Sequence, residues 1–260
     1  NITEVFTLIP EASGEMKTKM QGDVRELAKV MGLDLTDATK ALYGAISAGV
    51  PADNAVSFLE TAAKAAIGGV ATLEDSVAAL TTVINGYGME VDMAEEVSDI
   101  LFTTVKLGVT NMTELAANIG KVTPVAADLG IEFKEVGAMF ATMTKIFGAG
   151  KTAEVGTAIK SMLSEMSKEG MRAFDNFKQF NGGQGFPAFI KGGGSVADAL
   201  KIMATAAKAS GKSLKDMFRG VESGNAALAL ASNNFQLLDG NMEAFKNTTG
   251  ASQEAFEAME

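Results

Sequence analysis

The stretch FKEVGAMFATMTKIF places apolar side chains at Val136, Met139, Phe140, Met143 and Phe147. Steps of three and four residues line one face of an α-helix, which turns once every 3.6 residues. DVRELAKVMG repeats the spacing with Val24, Leu27, Val30 and Met31. This periodicity dominates the chain, and β-branched residues do not cluster. Hydrophobic residues make up 47% of the sequence but aromatics only 7%. The apolar content is mostly Ala, Val, Leu, Ile and 15 Met. Ala, Leu and Met are good helix formers, and only four prolines interrupt 260 residues. The expected fold is all-α and multi-helical, with about eight to eleven helices.

The helices are expected to come as hairpin units joined by Gly-rich turns. A helix ends at a glycine, a short polar turn follows, and a capped helix begins. Asp34 with Asp37 three residues later is close to a capping box, in which a side chain at the helix start accepts a backbone N–H of the first turn. The same signature appears at Thr72 and Asp75, at Asn111 and Glu114, and at Ser213 and Asp216. The units recur at roughly 40 residues, a period at which helical repeats are found. FNGGQGFPAFIKGGGS breaks this texture from Phe180 to Ser195. It reads as a Gly-rich loop with room for a short β-hairpin near 185–192, and Phe186 and Phe189 are expected to pack back onto the body. The chain then divides into a helical core at 1–179, the loop at 180–195 and a C-terminal helical part at 196–260.

GAGKT ends at Gly150-Lys151-Thr152, like a phosphate-binding loop. That loop needs a glycine five positions before Gly150, where Lys145 stands, and it follows a buried strand. A helix precedes it here, so the stretch reads as a helix–turn–helix corner and nucleotide binding is not expected. Gly156 falls inside the next helix and is expected to serve close packing near Met139 and Met143. The chain has no histidine and no cysteine, which removes the usual general base, the thiol nucleophile and the commonest zinc ligands. Adjacent carboxylates such as Glu95-Glu96 and Glu74-Asp75 do not face each other on a helix. Near helix starts, the helix dipole accounts for them. No catalytic, cofactor-binding or metal-ligating residues are expected, and no calcium-loop pattern occurs. The net charge of −10 argues against nucleic-acid binding through phosphate neutralisation. No apolar run approaches the roughly 18 to 20 residues of a membrane span.

GIEFKEVGAMFATMTKIFGAGKTAEVGTAIKSML resembles the core segment of phage tail tape measure proteins. In that family a Gly-Ile-x-x-x-Glu helix leads through a glycine turn into Glu-(small)-Gly-Thr-Ala-hydrophobic-(Lys/Arg). Here these positions are Glu154, Gly156, Thr157, Ala158, Ile159 and Lys160, with Val155 where a smaller residue is usual. LYGAISAGVPADNAVSFLETAAKAAIGGVATLEDSVAALTTVINGYGME, TELAANIGKVTPVAADLGI and MFRGVESGNAALALA are similar to neighbouring family segments. The resemblance covers roughly 21–236 of the sequence. It rests on the order and spacing of small-residue helix patterns.

The resemblance implies a structural protein of the virion tail, present in the host cytoplasm during assembly. Such a protein sets tail length while the tube polymerises around it, and it leaves before the DNA. The implied partners are the tail tube protein, a tail assembly chaperone and other copies of the chain. A continuous helix of 260 residues would span only about 390 Å, so a fragment of a longer ruler is expected. The alternatives are a helical scaffold or peptide-binding module, and a tail-associated peptidoglycan hydrolase.

Overall fold

The computed structural model describes residues 2–259. In chain order the α-helices are α1 (Ile2–Leu8), α2 (Gly14–Val30), α3 (Leu35–Ser47), α4 (Ala55–Gly68), α5 (Leu73–Tyr87), α6 (Ala94–Leu107), α7 (Met112–Asn118) and α8 (Thr123–Leu129). There follow α9 (Phe133–Phe147), α10 (Thr152–Ser167), α11 (Arg172–Phe180), α12 (Phe186–Lys191), α13 (Val196–Ala209), α14 (Val221–Leu230), α15 (Gln236–Ala244) and α16 (Ala251–Glu257). Short 3-10 turns lie at Val91–Met93, Ile119–Lys121 and Leu214–Met217. The chain is all-α, and no strand occurs among the described residues. The sixteen α-helices among the described residues exceed the eight to eleven expected, because five of them have only six or seven residues. A helix of two turns carries too few apolar positions to show a period.

All four expected caps form. Asp34 Oδ1 accepts the Thr36 and Asp37 amides at 2.7 and 3.3 Å. The Thr36 amide is the main cause holding this carboxyl below its ordinary pKa. Thr72 Oγ1 accepts the Asp75 amide at 3.0 Å, and Asn111 Oδ1 accepts that of Glu114 at 2.9 Å. Ser213 and Asp216 form a capping box, but it opens the 3-10 turn Leu214–Met217 and not an α-helix. The elements that follow the four caps have 13, 15, 7 and 4 residues, at Leu35, Leu73, Met112 and Leu214. The hairpin units therefore share their starts but not a repeated length.

One compact unit comprises 1–102, 111–117 and 249–260. Within it α3, α4 and α5 pack on one another, with α1 and α2 against α3 and with α16 against α4. Ala38, Ala41 and Ala45 of α3 and Ala62, Ala63 and Ala66 of α4 are buried, and such small side chains let helix backbones approach closely. Gly68 shows the limit of that approach, since a Cβ there would lie 3.0 Å from the Ala255 methyl and 3.2 Å from the Phe256 amide. The left-handed residue of this turn is Val70, at φ 50°. Its amide donates to Ile67 O, and the next amide donates from Ala71 to Ala66 O. This is a Schellman ending, whose left-handed position normally carries glycine. A β-branched residue is strained there, and Val70 is 81% exposed, so it contributes no packing in return. Val70→Gly is expected to raise stability by about 0.5–1 kcal/mol after the greater freedom of glycine in the unfolded chain is deducted. Thermal unfolding checks this, and a lower midpoint in the variant would count against the strain.

The second unit comprises 103–110 and 118–248, so the 180–195 stretch lies inside it. α10 is its central helix, packed against α8, α9, α11, α12 and α14. Phe140, Phe177, Phe186 and Phe245 are fully buried in it. The hairpin allowed near 185–192 is absent, and α12 stands in its place. Pro187 lies in the first turn of α12, where its missing N–H costs nothing. Phe186 and Ile190, four residues apart, face the interior together. Phe186 and Phe189 do pack back: their rings meet Phe177 edge-on at 5.9 and 5.3 Å.

GAGKT forms the corner between α9 and α10, with left-handed Gly148 and Gly150. Lys151 is paired with Glu154 at 2.5 Å. The Thr152 hydroxyl is buried 2.7 Å from that of Thr110. Gly156 is buried as expected, and the atoms nearest to a Cβ there belong to Phe140 of the preceding helix and to the 118–121 turn. A Cβ there would meet Asn118 O at 3.4 Å and the Phe140 ring at 3.5 Å. A methyl group fits at such distances, and only larger side chains meet resistance.

Candidate functional site

Three carboxylates are buried among the described residues: Asp99, Glu135 and Glu165. A buried charge is costly unless it is paired or hydrogen-bonded. Each of these is matched to backbone N–H groups at the start of a distant helix. Those groups have no partner within their own helix, and their dipole favours a negative charge.

Asp99, on α6, accepts the Gly250 amide at 2.7 Å, the Ser252 amide at 2.8 Å and the Ser252 hydroxyl at 2.6 Å. It supplies to α16 the cap that Gly250, without a side chain, lacks. Glu135, on α9, accepts the Val196 amide at 2.7 Å and the Ala197 amide at 3.4 Å. Ser195 Oγ takes the next amide, of Asp198, at 3.0 Å. The first three N–H groups of α13 are thus satisfied. Glu165, on α10, accepts the Arg219 amide at 2.6 Å and the Gly220 amide at 3.1 Å, just ahead of α14. The starts of α13, α14 and α16 are therefore each held by a carboxylate at least 54 residues earlier in the chain.

Glu135 borders a cleft of about 440 Å³ lined by Ile131, Lys134, Ser195, Met242, Phe245 and Lys246. Burial raises its pKa from 4.5 to about 7, against the two amide bonds, which lower it; Asp198 and Glu132 add to the rise. The folded state then binds a proton more tightly than the unfolded chain. The Glu135 contribution is fully present below about pH 4.5, shrinks as pH rises toward 7, and stays lost above it. The span is roughly 3 kcal/mol. Glu135→Gln is expected to flatten this part of the stability profile between pH 5 and 8. Urea unfolding across that range measures it, and parallel profiles for the two chains would refute the assignment.

A separate groove in the second unit is lined by Ile146, Phe147, Asn225, Leu228 and Ala229. Ile146 is 46% and Leu228 40% exposed.

The carboxylate pairs noted in the sequence have local roles. Glu74 and Asp75 lie in the first turn of α5, and Glu95 and Glu96 in that of α6. Asp75 Oδ2 also accepts the Thr113 hydroxyl at 2.8 Å. No group of three or more His, Cys, Asp or Glu side chains is placed to hold a metal ion among the described residues. No single helix among them is long and apolar enough to cross a membrane. Of the three interior carboxylates only Glu135 falls in a quoted pattern, as the glutamate of Gly-Ile-x-x-x-Glu, and its burial is not legible there. A signal existed: Glu165 falls between Met162 and Met166, on the apolar face of its helix.

Comparison with known proteins points one way. The family model described as "Phage-related minor tail protein" matches residues 21–259. Over 249 residues the chain is 30% identical to a protein of Clostridium phage phiCD119 named "Probable tape measure protein". That match covers 92% of this chain and 26% of the relative, so the chain spans about a quarter of that protein's length. No solved structure matches. With the all-helical fold and the tape-measure-like segments around Glu154–Lys160, the family match over most of the sequence places this chain among the phage-related minor tail proteins.

Proposed function

We propose that this chain is part of a tape measure protein, which sets tail length while the tail tube assembles around it and leaves before the DNA passes. The observation that carries the reading is the 30% identity, over 92% of the chain, to the phiCD119 protein of that name. The same identity, spread over only 26% of the relative, supports reading the chain as one segment of a longer ruler. The proposed partners are the tail tube protein, a tail assembly chaperone and other copies of the chain, met in the host cytoplasm. The role is structural and not enzymatic. A chain without histidine or cysteine whose buried carboxylates accept backbone amides fits that role. The surplus of acidic residues fits a protein that shares the tail with DNA without binding it.

The test is an in-frame deletion of this segment from the phage gene, with tail lengths read by electron microscopy. Shorter tails, or failure to form tails, are expected. The shortening is bounded by the roughly 390 Å that a fully helical segment of this length would span. Tails of unchanged length on infectious particles would overturn the reading and favour a helical scaffold or peptide-binding module.

A further inference from the structure

Asn233, Asn234 and Phe235 lie consecutively in the left-handed region, at φ 49°, 54° and 66°. Chains of L-residues visit this region singly and mostly at glycine; three in a row without glycine is a strained arrangement. The turn separates α14 from α15, and its sequence, ASNNF, contains neither glycine nor proline. The two asparagines tolerate the left-handed region better than most L-residues, but Phe235 does not share that tolerance.

The flanking sequence ignores the break. Val221, Leu228, Phe235 and Met242 recur every seven residues, and Ala231, Leu238 and Phe245 form a second series offset by three. Spacings of three and four define one apolar stripe along a continuous helix. In the bent chain the stripe is split. Val221 is 63% and Leu228 40% exposed, whereas Phe235, Leu238 and Phe245 are buried.

Particular contacts hold α15 in place. Asn241 donates to Thr142 Oγ1 at 2.8 Å, Lys201 pairs with Asp239 at 2.7 Å, and the Lys201 ammonium lies 5.7 Å from the centre of the Phe235 ring. Asn233 Nδ2 donates to Gln236 Oε1 at 2.6 Å.

We propose that the 231–235 turn is a rewinding hinge: when α15 leaves its place on α9, the left-handed residues become right-handed and α14 and α15 join into one helix from 221 to 244. Undocking releases the strain at three residues, and the helices already formed on both sides favour extension across the turn over opening into coil. The joined helix carries the whole apolar stripe on the side of α14 that is exposed now. The device serves the proposed tape measure role by giving a compact segment a local route to an elongated helix. Its test needs only this chain, and stands apart from any result on tail length.

The chain has no cysteine, so Glu222→Cys and Glu243→Cys allow spin labels at two exposed positions. In a joined helix their backbones are about 32 Å apart; a bend brings them closer. Distances are measured in urea below the main unfolding transition, in the labelled chain and in two further backgrounds. Asn233→Ala with Asn234→Ala raises helix propensity and worsens the left-handed turn. Asn233→Gly with Asn234→Gly relaxes the turn, and removes the same side chains. The expected result is a narrow second distance near 32 Å, at least about thirtyfold more populated in the alanine pair than in the glycine pair. A second distance that is broad, as for coil, overturns the proposal. Equal populations in the two variants, or no second distance in the alanine pair, also overturn it. If the alanine pair fails to fold, the comparison of the unsubstituted turn with the glycine pair decides in the same way.

Discussion

Asp99→Ala is expected to lower the unfolding free energy by about 3 kcal/mol. It removes the acceptor for two amides and one hydroxyl. Hydrogen bonds to a charged group contribute about 1.5–3 kcal/mol each, and an unmatched buried donor costs about 1–3 kcal/mol. The three bonds share one carboxylate, so the losses do not simply add. Asp99→Asn keeps one acceptor oxygen and is expected to lose about half as much. Urea unfolding gives the magnitude. Amide exchange gives the location, since α16 and its packing on α4 are expected to lose protection before α3 and α5. A loss under about 1 kcal/mol would mean that water replaces the carboxylate at little cost.

Phe245→Ala is expected to cost about 3–5 kcal/mol, as for other fully buried aromatic side chains. The ring lies over α9, where a Cβ on Gly137 would be only 2.6 Å from it and 2.8 Å from Thr104 Oγ1. Gly137→Ala is therefore expected to destabilise by about 2 kcal/mol through overpacking, despite the better helix propensity of alanine. The two losses are not independent. In the double variant the new methyl group enters space that the ring vacates, so the combined loss is expected to fall short of the sum by about 1 kcal/mol or more. Additive losses would show that the strain at Gly137 comes from Thr104 alone. Denaturant midpoints of the four chains complete the cycle.

Helix class and the four caps at Asp34, Thr72, Asn111 and Ser213 are legible in the sequence. They depend on residues within four positions of each other. Asp34, Thr72 and Asn111 cap their helices by bonds that span two or three residues, so the local pattern is the physical cause. The hairpin allowed near 185–192 does not form, because apolar spacing outweighs glycine density there. Phe186 and Ile190 sit one helical turn apart, and packing against the body settles a six-residue helix that could not persist alone. The candidate site was less legible. Glu135 is the glutamate of the Gly-Ile-x-x-x-Glu pattern, but its role as an acceptor appears only when α13 is brought to it.

By itself the sequence determined that the chain is helical, where several helices begin, that it has no histidine or cysteine, and which phage family it resembles. Those properties follow from composition and from contacts between near neighbours. Tertiary structure decided which face each small residue offers, that Gly137 has no room for a methyl group while Gly156 does, and which carboxylates are buried. It also decided that ASNNF turns left-handed although the apolar spacing on either side would suit one helix. The burial of Phe235, Leu238 and Phe245 against the body outweighs the local preference there. The physical reason is common to all of these: close packing and buried charge depend on what lies across the fold, tens of residues away, and the period of a helix carries no record of its partner.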